Sequence, residues 1–222
     1  RTQFIANISH ELKTPIFAIK GFVETLIDGA LSDDEVNMEF LKKISHQSNR
    51  LENLFSDLIT ISKIQSKELS LSLENFELND IMLWLKDTFE DEANQKGLEL
   101  IIPNTKKLQV YGDKVWLQSV FSNLVKNAIN YTAEGKITII IKKFNKQVKI
   151  RIIDNGIGIS NEYHNRIFER FFRVDQARSR EVGGTGLGLS IVKHILDIHG
   201  SPIRLKSRLG QGSEFSFNLV IN

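Results

Sequence analysis

The apolar residues of this chain change their period near residue 66, and that change divides the molecule into two halves. Over residues 4–27, Phe4, Ile5, Ile8, Leu12, Ile16, Ile19, Val23 and Leu26 recur at threes and fours, the spacing of an amphipathic helix. Gly29 marks its stop. Ser32, with Asp33, Asp34 and Glu35 behind it, reads as an N-cap followed by acidic first-turn residues that open a second helix. That helix carries a seven-residue repeat, with Phe40, Gln47, Leu54 and Ile61 in one register and Ile44, Leu51 and Leu58 in the other, which is a bundle seam. Two such helices joined by a short loop form an antiparallel helical hairpin that leaves half of each stripe wet. A second copy is therefore expected to complete a dimeric four-helix bundle, with packing on the chain's own second half as the alternative.

Beyond residue 66 a polar, Ser-rich passage to residue 75, with alternating Leu69, Leu71 and Leu73, reads as a linker running into a strand. Helix is predicted over 78–96, closed by Gly97, then strand over 98–102 and helix over 114–131 after Asp113. Strands over 136–144 and 147–154 flank a turn at Asn145 and Lys146. A helix over 187–199, stopped by Gly200, precedes strands near 203–207 and 213–220. Strand pairs joined by tight turns and interrupted by helices predict an α+β sandwich, a mixed sheet with helices on one face.

Composition narrows the functional classes. With 29 Lys and Arg against 27 Asp and Glu, the net charge of +2 supplies no excess to neutralise a duplex, so no nucleic-acid partner is expected. The absence of cysteine excludes disulfides, thiolate catalysis and Cys-based zinc sites. No run of 18 apolar residues is present to span a membrane, and no signal peptide is seen. The helical pattern is already running at Phe4, so the chain is expected to be a fragment with its upstream part removed.

Within the first helix, Ser9, His10, Glu11, Leu12, Lys13, Thr14 and Pro15 form the most chemically suggestive segment. His10 and Thr14 are four apart and share a helical face. Pro15 cannot donate to the carbonyl of Glu11, so a kink or loosening is expected beside the histidine, leaving an exposed, re-orientable imidazole suited to a nucleophile. An ordinary surface histidine is the competing account.

Four further segments suggest a nucleotide site. The strand ending at Asp154 runs into Asn155, Gly156, Ile157, Gly158 and Ile159, where glycines admit a ligand to the backbone and a carboxylate can accept from an exocyclic amine; a tight turn fits equally. Gly183, Gly184, Thr185, Gly186, Leu187 and Gly188 open a helix and would offer free N–H groups to phosphate, although neither the dinucleotide fingerprint nor a P-loop is present. Asn123 and Asn127, four apart, with Asn130 and Tyr131 a turn further on, supply hard amide oxygens suited to Mg²⁺, or simply a polar helix face. Arg166, Arg170, Arg173, Arg178 and Arg180 precede the glycine loop, and the stretch 175–182 reads as a lid or as a solvated basic loop.

These segments, in this order, resemble the transmitter core of bacterial sensor histidine kinases across essentially the whole chain. Residues 4–15 are similar to the family's H box, 123–132 to its N box, 154–159 to the first glycine box, 168–172 to the F box, 184–190 to the second glycine box and 210–213 to the last. Within the family, residues 19–30 and 131–135 are similar to Gram-positive phosphate-regulon sensor kinases. The resemblance implies a dimerisation and phosphotransfer domain over 1–67 and an ATP-binding domain over 72–222, an α/β sandwich of the gyrase/Hsp90/histidine-kinase type. It implies that His10 is the phosphoacceptor, Glu11 its acid/base and Thr14 the residue positioning water for dephosphorylating the partner. For Mg-ATP it implies Asp154 on the adenine amine, Asn127 on Mg²⁺, and Gly184, Gly186 and Gly188 on the phosphates, with Arg173 and Tyr131 lining the site. Asn123, Asn130, Gly156, Gly158, Ile159, Thr185, Leu187 and Ser213 complete the expected nucleotide-binding set.

The implied activity is autophosphorylation on His10 and transfer to an aspartate in the receiver domain of a response regulator, with accompanying phosphatase activity. The implied setting is the cytoplasmic portion of a membrane-anchored protein, anchored through segments outside this chain. Asn130 stands where the family usually has a basic residue, Ser201 where glycine is common and Arg208 where an acidic residue is common. A phosphatase-biased or non-catalytic dimeric scaffold is one alternative. An ATPase of the same superfamily is another, disfavoured by Asn123, because a neutral amide is a poor base for water.

Overall fold

The computed structural model describes residues 2–66, 71–105, 107–175 and 184–221. Its first part is the expected hairpin, α1 (Thr2–Ile27) and α2 (Asn37–Gln65). The pairing is antiparallel, because Phe22 near the end of α1 meets Phe40 near the start of α2, while Glu11 meets Arg50. Gly29 ends the first helix with φ 134°, a value that side chains rarely adopt. The second helix starts later than expected. Ser32 belongs to a short 3₁₀ turn, Ala30–Ser32, and does not cap α2, which opens at Asn37 with no side-chain cap. Asp33 takes the local polar role, accepting from the backbone N–H of Glu35, so the acidic run forms a turn and not a first helical turn. Pro15 lies within α1, which continues through it without a break, and is buried.

All seven seam residues of α2 are buried or half-buried, with Leu54 and Ile61 the most enclosed. On α1, Ile5, Ile16 and Val23 belong to the predicted apolar stripe yet remain exposed, as do Phe55 and Ile59 on α2. This wet apolar surface runs along the hairpin.

Among the described residues the second part is a seven-stranded mixed sheet with three helices packed on it. Its elements are β1 (Glu74–Glu77), α3 (Leu78–Gln95), β2 (Leu98–Ile101), β3 (Gln109–Gly112), α4 (Lys114–Tyr131), β4 (Gly135–Phe144), β5 (Gln147–Asp154), α5 (Gly188–Ile198), β6 (Arg204–Ser207) and β7 (Ser213–Val220). Strand order is β1-β3-β7-β5-β4-β2, with β6 also pairing β7, and the only parallel pair among the described strands is β2 with β4. Sequence reading missed β3; the polar passage runs into β1 as expected, with Leu71 and Leu73 preceding the strand, and linker residues 67–70 lie outside the described set.

Two local signals account for the helix and the strand that matter to the site. Asp113 caps α4 by accepting from the backbone N–H groups of Val115 and Trp116, satisfying two donors that the first turn leaves open. Leu117, Val120, Phe121, Leu124, Val125 and Ala128 then bury one face of α4 against the sheet, which turns its Asn face outward. On β5, Val148, Ile150 and Ile152 alternate into the core, and the same alternation carries Asp154 to the buried side at the strand's end.

Candidate nucleotide site

A cavity of about 590 Å³ opens beside the Asn face of α4, of a size suited to a small organic ligand. Its wall includes Asn123, Asn127, Asn130 and Tyr131 from α4, Asp154, Gly158 and Ile159 after β5, Arg173, and Gly184, Thr185, Gly186, Gly188 and Ser213. Five separated segments expected from sequence thus meet in one place. Gly156 and Leu187 do not line it. Leu187 is fully buried beneath the loop, and Gly156 lies under Asp154, where a Cβ would collide with the Tyr131 carbonyl.

Asp154 is built to accept. Its Oδ1 takes the backbone N–H of Gly156 at 2.8 Å and that of Ser213 at 3.2 Å, while Oδ2 takes no hydrogen bond from a described residue. Burial pushes its carboxyl above the usual range, opposed by those two N–H donors. A carboxylate with one oxygen fixed and the other open at a cavity wall suits an exocyclic amine.

Along α4, the amide nitrogen of Asn123 donates to the Ser119 carbonyl at 2.9 Å, and its Oδ1 rests against Gly188, where any Cβ would come within 2.5 Å. The Asn127 side chain makes no hydrogen bond to a described residue, so its oxygen is available to a ligand or a hydrated cation. The glycine loop is joined to the Phe-rich segment backbone to backbone. Phe171, in the left-handed region at φ 63°, donates from its N–H to the Gly186 carbonyl at 2.8 Å. Gly183, Arg178, Arg180 and most of the expected lid lie outside the described residues.

The hairpin also reaches the cavity, which the sequence did not announce. Asn53, Ser56, Asp57 and Thr60 of α2 form one side of it. Thr185 donates from its hydroxyl to Asp57 Oδ2 at 2.6 Å and accepts the backbone N–H of Leu187, tying the glycine loop to α2. Burial raises the Asp57 carboxyl above its usual range, countered by the Thr185 hydroxyl and by Lys126 nearby. Arg50 and Asp57 are seven apart, in one register beside the seam residues Leu54 and Ile61; that shared face was the available signal.

On α1, His10 is exposed and does not line the cavity. Thr14 donates from its hydroxyl to the His10 carbonyl at 3.2 Å. Glu11 points the other way, its Oε2 receiving Arg50 at 3.2 Å and Arg173 at 2.8 Å. Phe4 packs against Phe171, with Arg170 over its ring, so the helix that carries His10 and the arginine-bearing wall of the cavity touch. The Arg173 side chain is largely enclosed, and its Nε has no partner among the described residues.

An ATP-type cavity preceded by a histidine-bearing helical hairpin defines the class. Residues 1–67 match the model of the His Kinase A (phospho-acceptor) domain, and residues 112–221 that of the histidine kinase-, DNA gyrase B- and HSP90-like ATPase, which implies ATP as the nucleotide. The chain is similar to Acinetobacter baumannii histidine kinase AdeS, with 30% identity and TM-score 0.76 over 96% of this chain and 98% of that one. It is also similar to histidine kinase ThkA, solved in complex with response regulator protein TrrA, with 28% identity and TM-score 0.79 over 99% of this chain and 61% of that one. Among curated proteins it is 38% identical to sensor-like histidine kinase SenX3 of Mycolicibacterium smegmatis over 99% of this chain and 57% of that protein. It is 34% identical to sensor protein SrrB of Staphylococcus aureus over 99% of this chain and 38% of that protein. The chain belongs to the histidine kinase family. It spans between about two fifths and three fifths of the length of these curated relatives, and among the described residues no helix is long and apolar enough to cross a membrane.

Proposed function

We propose that this chain is the kinase core of a two-component sensor: it phosphorylates His10 from Mg-ATP and passes the phosphoryl group to an aspartate of a response regulator. One observation carries the reading. Arg173 in the cavity wall is bonded to Glu11, the residue next to exposed His10, so the phosphoacceptor helix and the nucleotide cavity are in direct contact. In the reaction a neutral imidazole nitrogen of His10 attacks the γ-phosphorus, the bond to the bridging oxygen of ADP breaks, and the imidazole proton leaves to a base. Glu11 serves as that base once released from its arginines, since neighbouring helical positions do not face each other and its carboxylate has to swing round. Asp154 holds the adenine amine, and the glycine loop over 184–188 receives the phosphates. Asn127, with its free amide oxygen, suits Mg²⁺, which when bound supplies charge neutralisation to the phosphate oxygens.

His10 lies outside the cavity wall, so the ATP-binding domain, taken as 72–222, has to shift on the hairpin, taken as 1–67, to deliver the phosphoryl group, and that movement is a candidate rate limit. The exposed stripe of Ile5, Ile16 and Val23 on α1 supports a homodimer completing a four-helix bundle. The structure of ThkA with its response regulator supports the same class of partner here. Thr14, on the His10 face, is assigned to dephosphorylation of that partner, and the whole is read as the cytoplasmic part of a membrane-anchored sensor.

Incubation with ATP radiolabelled at the γ-phosphate tests the reading. Label that is acid-labile, base-stable and lost in His10→Gln is the expected result; phosphate release without protein label would sink it in favour of an ATPase.

A further inference from the structure

Lys96, the residue that closes α3, donates from Nζ to Asn130 Oδ1 at 3.3 Å. Asn130 belongs to the last turn of α4 and lines the nucleotide cavity, whereas Lys96 lies outside the wall. The lysine therefore reaches the cavity through the amide.

Its chemistry orients that amide. An ammonium has three donors and no acceptor, so it can engage only the carbonyl oxygen of an Asn side chain. With Oδ1 held by Lys96, the Nδ2 group is turned away from the lysine, and it makes no hydrogen bond to any described residue. An Nδ2 directed at the cavity would give its wall an N–H donor with a positive charge behind the amide. Charge-assisted polarisation of this kind strengthens a neutral donor.

The electrostatics of the wall show where such a donor matters. Among the described residues the wall carries four carboxylates, Asp57, Asp154, Glu162 and Asp175, against two cations, Lys126 and Arg173. Arg173 is bonded to Glu11, and Lys126 acts on Asp57. A polyanion entering this cavity meets more negative than positive charge from the described residues of its wall. Asn130 lies three residues beyond Asn127 on the same helix face, about 4.5 Å along the axis, beside the position proposed for the cation and the phosphates.

We propose that Lys96 is a positioning residue for the nucleotide's phosphate chain, fixing the Asn130 amide with its N–H donors toward the cavity. The role rests on the Mg-ATP reading of this site.

Calorimetric titration of the full chain with Mg-ATP and with adenosine separates the possibilities. Lys96→Met is expected to weaken Mg-ATP binding roughly five- to ten-fold and leave adenosine affinity unchanged, with Lys96→Arg restoring most of the loss. The autophosphorylation KM for ATP rises correspondingly while kcat at saturating ATP stays within about two-fold. In an Asn130→Ala background Lys96→Met has no further effect. Unchanged ATP affinity in Lys96→Met overturns the proposal, as does equal weakening of ATP and adenosine, which would mean a general loosening of the pocket. A full Lys96→Met effect in the Asn130→Ala background overturns the route through the amide. If the unsubstituted chain bound no ATP at all, the site reading would fall with it, a result distinguishable from every variant outcome.

Discussion

Arg173 Nη2 and Glu11 Oε2 lie 2.8 Å apart, joining the wall of the nucleotide cavity to the helix that carries His10. The same carboxylate oxygen also receives Arg50 from α2 at 3.2 Å, and both arginine side chains are 6% exposed. Three groups from three elements are thus arranged so that one negative charge holds two positive ones. Glu11→Gln leaves the two guanidiniums close together without the anion between them, which is expected to cost about 3 kcal/mol in stability. Arg173→Met in that background should recover part of the loss. Urea denaturation of the two single variants, the double variant and the parent measures the coupling; strictly additive effects would contradict the clamp.

Asp57 gives a pH-dependent test of the contact with the glycine loop. Its carboxyl is raised from the ordinary 3.8, first by burial, so the folded state prefers the protonated form. The stability this group contributes is fully present below 3.8 and is lost as pH rises through the raised folded value. Asp57→Asn mimics the protonated acid and keeps an acceptor for Thr185. It should therefore raise the thermal midpoint near neutral pH, with the difference from the parent vanishing in acid. Thermal unfolding across pH reads this directly, and a variant less stable than its parent at neutral pH would contradict it.

The divided duty of the Asp154 carboxylate predicts a separation of binding from folding. In Asp154→Asn, Oδ1 can still accept from Gly156 and Ser213, but the second position becomes a donor facing the ligand's amine. Nucleotide affinity should fall roughly a hundred-fold, while circular dichroism and the sedimentation mass stay those of the parent.

Gly158 illustrates a requirement of the backbone. Its φ is +66°, and a Cβ would overlap the carbonyl of Arg208. Gly158→Ala should lower stability by at least about 2 kcal/mol, read from the denaturation midpoint, and should weaken nucleotide binding as the segment carrying Ile159 is displaced from the cavity wall.

Much of this was legible in the chain because it is periodic. The heptads of α2, the helix start after Asp113 and the turn at Asn145 are local signals that each produced the element expected of it, and the alternation that buries Asp154 is local in the same way. Ser32 failed as a cap because Gly29 and Asp33 form their own turns first. β3 escaped notice because its two buried positions are Val110 and Gly112, and the glycine carries no apolar side chain to complete the alternation.

By itself the sequence determined the division into a hairpin and a sandwich, the Asn face of α4 and the carboxylate at the end of β5, because hydrophobic period and strand parity decide which side of an element is buried. Only the tertiary structure decided that Arg50 and Asp57, charges of the kind that usually cover a solvated helix face, meet Glu11 and Thr185, and that Lys96 stands behind Asn130. Those partners lie 34 to 128 residues apart. Pairing at such separations depends on how finished elements pack, and no local pattern carries it.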